Sequence, residues 1–352
     1  MRIQVFIGTR KGAFIASSHG DRKEWSLAGP IFKGWEVTAV DRLADGTWLV
    51  GTTSYVYGPA IHRSRDLDRW EQVVDGPAFS PDLGRTLKSI WTLTSGHGQV
   101  WAGVDEAALF RSSDQGRSWL PVPGLNDHPS RDGWQPGAGG LCAHAVLLDP
   151  EDEGQIWCGI SAVGVFHSQD SGKSWTPANR GVTQIIESPG HPGIGYCVHG
   201  LAQDVSDPQR IWRQDHTGMY RSSDGGRDWE RAEGGLPSGF GFPIARDPHS
   251  GRLFVVPLES DEYRLPLEGR LKVYVSDDDG ETWEPREDGL PQTHHYHGVL
   301  RGGMAIDGLD PCGVYLGTTG GTVHLSSDGG ESWISPSWTL PRIHCVGAFV
   351  SA

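Results

Sequence analysis

Apolar residues in this chain come in short runs, separated by turns rich in glycine and proline. That is the pattern of β-strands separated by turns. No stretch carries the 3.6-residue apolar spacing of a long helix. The runs parse into sets of four. One set is CAHAVLLD (142–149), QIWCGIS (155–161), GVFHSQD (164–170) and SWTPA (174–178). The next repeats it with CVHGLAQD (197–204), RIWRQDH (210–216), GMYRSSD (218–224) and DWERA (228–232). At the N-terminus IQVFIGT, GAFIASS and EWSLAG supply only three strands, and RIHCVGAFV (342–350) is left over at the other end. Setting that last segment beside the first strand completes the set and removes an exposed sheet edge.

A second pattern fixes the repeat. Ser-x-Asp-x-Gly-x-x-Trp occurs at Ser112–Trp119, Ser168–Trp175, Ser222–Trp229, Ser276–Trp283 and Ser326–Trp333. Worn copies end at Trp70 (SRDLDRW) and Trp25 (SSHGDRKEW). The chemistry is that of a turn: aspartate accepts bonds from the backbone N–H groups ahead of it, and glycine permits a positive φ. The tryptophan is then free to pack between repeats, so all five box tryptophans are expected to be buried. Seven repeats of four strands predict an all-β, seven-bladed β-propeller with four-stranded blades, a single domain over 1–352, its ring closed by the C-terminal strand.

The boxes resemble those of the Asp-box (BNR) propellers, a group that includes sialidases, sortilin-type receptors and many bacterial proteins. The resemblance covers the whole chain. It implies that each box joins the third and fourth strands of a blade, on the side away from an active site, and is structural.

Composition narrows the partners. The formal net charge is −14 and no basic cluster stands out, so nucleic acid is not expected. No run approaches a membrane span, and the N-terminus reads as a strand rather than a secretory signal. Five cysteines scattered over 352 residues fit reduced thiols, and a cytoplasmic location is expected.

The long segments mark the candidate site. Box turns are short and uniform, whereas the links 121–141, 181–196 and 289–300 and the loop ESDEYRLPLEG are long. Long loops on a rigid scaffold carry function. The residues gathered at that end give the catalytic candidates Arg10, Glu106, Glu259, Tyr296 and Arg301, with Asp105 and Asp261 as further acids. Cys-x-His occurs twice, at Cys142/His144 and Cys197/His199, and His216 ends the strand after His199. His144, His199 and His216 are therefore candidate ligands for a divalent transition metal, against the plainer alternative of histidines bonded to carbonyls or water. Two carboxylates facing a sugar suit glycoside chemistry. Sialidase activity itself is not expected: the Phe/Tyr-Arg-Ile-Pro segment of that family is replaced by FIGTRKG, and a third arginine is missing. The expected function is a hydrolase-type, metal-assisted or metal-free enzyme for a small polar substrate. The alternative is a binding or assembly propeller with a protein partner, anchored by exposed Trp134, Phe240 and Phe242.

Overall fold

The computed structural model describes residues 1–351. Five sheets have four strands each. They are Glu36–Arg42, Trp48–Ser54, Gly58–Ser64 and Glu71–Gln72 (blade two); Ser89–Gly96, Gln99–Asp105, Ala108–Ser112 and Leu120–Pro121 (blade three); and Ala143–Leu148, Ile156–Ile160, Gly164–Ser168 and Thr176–Pro177 (blade four). Blade five comprises Val198–Gln203, Ile211–Asp215, Met219–Ser222 and Glu230–Arg231; blade six comprises Gly241–Arg246, Leu253–Pro257, Val273–Ser276 and Glu284–Arg286.

A seven-stranded sheet holds two further blades. Ile343–Ser351, Arg2–Thr9, Gly12–His19 and Ser26–Ile31 form blade one. Val299–Ile306, Val314–Thr318 and Val323–Ser326 form blade seven, whose outer position is filled by a bridge from Leu325 to Ile334. The two blades meet at one parallel bridge, Gly302 to Cys345. The C-terminal strand pairs with the first from Arg2↔Ser351 to Gly8↔Cys345, with an irregularity before Thr9. The fold is the expected all-β propeller type, closed by mixing N- and C-terminal strands.

The chain groups into two compact units. Met1–Val37, Trp212–Arg221 and Arg231–Ala352 make the first; Thr38–Ile211 and Ser222–Glu230 make the second. In the first, Ile3, Val5 and Ile7 pack with Tyr315, Val323 and Ile343. In the second, Trp101, Leu125, Trp134, Phe166 and Trp175 share one cluster, and Leu49, Ile90, Phe110 and Trp119 another.

Each intact box folds alike. In blade three the Ser112 hydroxyl donates to Asp114 Oδ1 (2.7 Å) and accepts from Gly116 N (2.8 Å). Asp114 Oδ1 accepts from Arg117 N and Ser118 N, both at 2.9 Å. Gly116 has φ 80°, left-handed backbone that favours glycine, and a Cβ there would come within 2.9 Å of Leu49 Cδ2. The box tryptophans are 4–7% exposed, as expected. In the worn boxes Leu67 (φ 68°) and Arg22 (φ 55°) take left-handed backbone, and their carbonyls accept from Trp70 and Trp25 Nε1. Arg22 has thereby gained another partner. It donates at 2.9 Å to Asp307 Oδ2 and to Pro311 O, tying blade one to blade seven.

Candidate functional site

In the Thr38–Ile211 unit, three segments converge where the second strand of blade three ends. Lys88 N donates to Asp105 O (2.7 Å), Ala107 N donates to Leu141 O (2.7 Å), and Asp105 bridges to Cys142. The side chains follow the backbone. Lys88 Nζ lies 3.1 Å from Glu106 Oε1 and 3.9 Å from Asp105 Oδ1, and Cys142 Sγ donates to Asp105 Oδ2 at 3.6 Å. Burial pushes the Asp105 carboxyl above its ordinary range; Lys88 and the thiol oppose this, and the Glu106 charge adds to it. The Lys88 ammonium is raised chiefly by its bond to Glu106. Arg131 Nη1 donates to Ala107 O on the same hairpin.

The Cys-x-His pairs lie in the same unit. His144 is buried and its Nε2 donates to Val198 O at 2.9 Å, a carbonyl contact of the plainer kind anticipated above. His199 is buried, with Nε2 3.6 Å from Cys197 Sγ. Imidazole and thiolate are both zinc-type donors.

The other unit holds a different arrangement. His216 Nε2 is 3.1 Å from Asp261 Oδ2, and its ring meets Phe240 edge-on at 5.3 Å. Phe240 packs on Phe242 at 5.3 Å, and the Arg301 guanidinium lies 4.9 Å from the Phe242 centroid. His216, Asp261 and Arg301 thus share one aromatic cluster. Glu259 is exposed just after Leu258, which belongs to that cluster. Tyr296 is exposed and lies against Gly269. Arg10 is exposed and acts on Glu36, whose carboxyl is held low first by its bond to His344 and then, against burial, by the charges of His344, Arg10 and Arg342.

The expected exposed anchors are corrected. Trp134, Phe240 and Phe242 are 6%, 6% and 2% exposed: the segments carrying Trp134 and Phe240 pack onto their blades, and Phe242 lies within the strand Gly241–Arg246. Trp134 packs on Phe166, and Phe240 and Phe242 pack with Leu258. Lys88 was missed. Laying LKSIW (87–91) over LCAHA (141–145) puts Lys88 in the Cys142 slot, so the repeat register held the signal. At the box end of blades three and four is a cleft of about 230 Å³ lined by His97, Trp101, Arg111, Glu153 and Gln155.

The family described as BNR/Asp-box repeat matches residues 274–285, the box of blade six. An oligoxyloglucan-reducing end-specific xyloglucanase of Emericella nidulans is 31% identical over 78 residues, 22% of this chain and only 9% of that protein. Among solved structures, an ancestral GH74 enzyme superposes with TM-score 0.56 at 17% identity, over 86% of this chain and 38% of that one. Ycf48 bound to D1 peptide superposes with TM-score 0.51 at 16% identity, over 86% and 82%. At such identities the two structures share the fold.

Proposed function

We propose that this chain, a BNR/Asp-box repeat β-propeller, is a hydrolase-type enzyme for a small polar substrate, with its acid–base centre at Lys88, Asp105 and Glu106. One observation carries the reading: two neighbouring carboxyls stand in unlike environments. Asp105 is pushed up by burial, whereas Glu106 is ion-paired with Lys88. Such a split assigns acid and base roles. Asp105 is the proton donor to the leaving group, and Glu106 accepts the proton of the attacking water. Glycosides are the first substrate class to test, because paired carboxyls suit glycosidic cleavage and the partial relative is named a xyloglucanase. The five cysteines are buried and unbridged, which supports the cytosol as the site of action.

The test is hydrolysis of a panel of aryl glycosides and xyloglucan oligosaccharides by wild type and Asp105→Asn. The expected loss in kcat/KM is about 10²–10⁴-fold. Turnover should fall as pH rises through the raised Asp105 value, since the acid must be protonated. No hydrolysis of any substrate, or an unimpaired variant, sinks the reading. A second reading, a protein-binding propeller, is favoured by the hairpin tip Tyr55, Val56 and Tyr57, which are 97%, 59% and 79% exposed. Under that reading, Tyr55→Ser weakens capture of a partner and leaves turnover untouched.

A further inference from the structure

We propose that Arg85 and Arg131 form a receptor for one carboxylate group on the substrate of the Asp105–Glu106 centre; the inference rests on that reading and names its substrate class. A guanidinium withdrawn from water is ordinarily paired with a carboxylate, and Arg85 and Arg131 are both partly buried. Among the described residues neither of these has an ion-pair partner. Arg85 Nη1 donates to Asn126 O at 3.0 Å and the guanidinium lies 6.0 Å from the Phe79 ring. Arg131 Nη1 donates to Ala107 O and lies 4.5 Å from the Trp134 ring. Each therefore gives one protein hydrogen bond from its fork of N–H donors.

The two groups are also held in place. Asn126 is fixed by a reciprocal pair of bonds to Leu109, from Leu109 N to Oδ1 (2.8 Å) and from Nδ2 to Leu109 O (2.9 Å). Trp134, under Arg131, is buried and donates to Ser130 Oγ at 2.9 Å. These are anchored cations, unlike the mobile arginines of an open surface. They are anchored to neighbouring points of one segment: Arg85 holds Asn126 O, Asn126 is bonded to Leu109, and Arg131 holds the carbonyl of Ala107, two residues before Leu109. Burial first, and the Arg85 charge next, push the Arg131 guanidinium down to about 10. An anion held by both forks relieves both effects.

Position and charge select the ligand. Ala107, which holds Arg131, directly follows Glu106, so the receptor adjoins the acid–base centre. The next charges acting on Arg131 are Glu106 and Asp127. A doubly charged phosphate meets more repulsion from these acids than a single carboxylate does, and the planar carboxylate matches the guanidinium fork. A sugar acid or a comparable small carboxylate is the class that fits.

The experiment is calorimetric titration of wild type, Arg85→Gln and Arg131→Gln with sodium glucuronate, glucose and glucose 6-phosphate at matched ionic strength. Glucuronate is expected to bind wild type and glucose to bind far more weakly, with each variant weakening glucuronate by about tenfold or more. Equal binding of glucuronate and glucose, or variants that bind as wild type does, overturns the receptor; tighter binding of glucose 6-phosphate overturns the carboxylate class. Should the glutamine variants fail to fold, Arg131→Lys keeps the charge and loses the fork. It should still weaken glucuronate, and full retention overturns the proposal. Asp105→Asn separates this inference from the reading beneath it. If wild type turns over no substrate while both it and Asp105→Asn bind glucuronate normally, the receptor stands and the hydrolase reading falls. If neutral glycosides are hydrolysed and the arginine variants bind as wild type does, only the receptor falls.

Discussion

The two ends of one hairpin in blade three carry aspartates of opposite character. Asp114 sits in the box turn. Burial acts to raise its carboxyl, but Ser118, Ser112 and the backbone N–H groups of Ser118 and Arg117 outweigh it and bring it to about 2. Asp105, at the far end, has burial as its leading influence and one thiol and one ammonium to oppose it, so it stays raised. The box end is the same in every intact repeat, because its hydrogen bonds close within eight residues. The other end differs from blade to blade: an acid–lysine–thiol cluster in blade three, and His216–Asp261 on an aromatic base in the other unit. The repeated end is scaffold, and the proposed chemistry lies at the end where repetition fails.

The largest expected effects come from making one substitution at both ends. Asp105→Asn should cost activity by the factor given above and leave the melting temperature nearly unchanged. Asp114→Asn should do the reverse, because it weakens the turn and touches no reacting group. Thermal melts beside kinetics decide it, and an inactive but fully stable Asp114→Asn breaks the comparison. Next is Trp229→Ala. Trp229 is 5% exposed and its Nε1 donates to Ala178 O at 2.9 Å. The loss should be about 3–5 kcal/mol in denaturant unfolding, with normal turnover per folded molecule.

A smaller effect separates scaffold from site by pH. His62, His167 and His324 lie on third strands, leading into their boxes, and burial lowers each to about 4. A group whose folded value lies below its unfolded value of 6.5 adds stability that is complete above that value. That stability is lost as pH falls from about 6.5 towards 4, because the unfolded chain takes up protons that the folded chain refuses. His324, 1% exposed, should account for on the order of 3 kcal/mol. His324→Gln should flatten the melting temperature across that window. An equally steep dependence in the variant removes His324 as its source.

How far the sequence could be read follows the same division. Box turns, buried tryptophans and the closing strand are local or periodic facts, and all were legible. The worn box at Trp25 was recognisable, but not the use of Arg22 as a tie to Asp307, since that contact spans 285 positions. Lys88 could be found only through repeat register. Arg85 and Arg131 lie in links without periodicity, and their lack of acidic partners is a tertiary property. The links also misled: aromatic residues in a long loop read as exposed, and packing against Phe166 or Leu258 cannot be inferred from spacing. For His144 the pattern could not separate a metal ligand from a donor to a carbonyl.

The smallest effects concern ion pairs at the two ends. Arg180 and Asp228 form an exposed pair beside the box of blade five, and Lys88 and Glu106 form one at the site. Both are open to solvent, so Arg180→Gln and Lys88→Gln should each change stability by less than about 1 kcal/mol. In activity they should differ. Lys88 lowers the Asp105 carboxyl against the pull of burial. Removing its charge lets Asp105 rise further, so the acid stays protonated to higher pH and the basic limb of the rate profile moves upward. Arg180→Gln has no such lever and should leave the profile where it was. Profiles of kcat/KM for the two variants, measured in the same buffers, test this directly. If Lys88→Gln shifts nothing, Asp105 is not the group behind the limb, and the two pairs are alike after all.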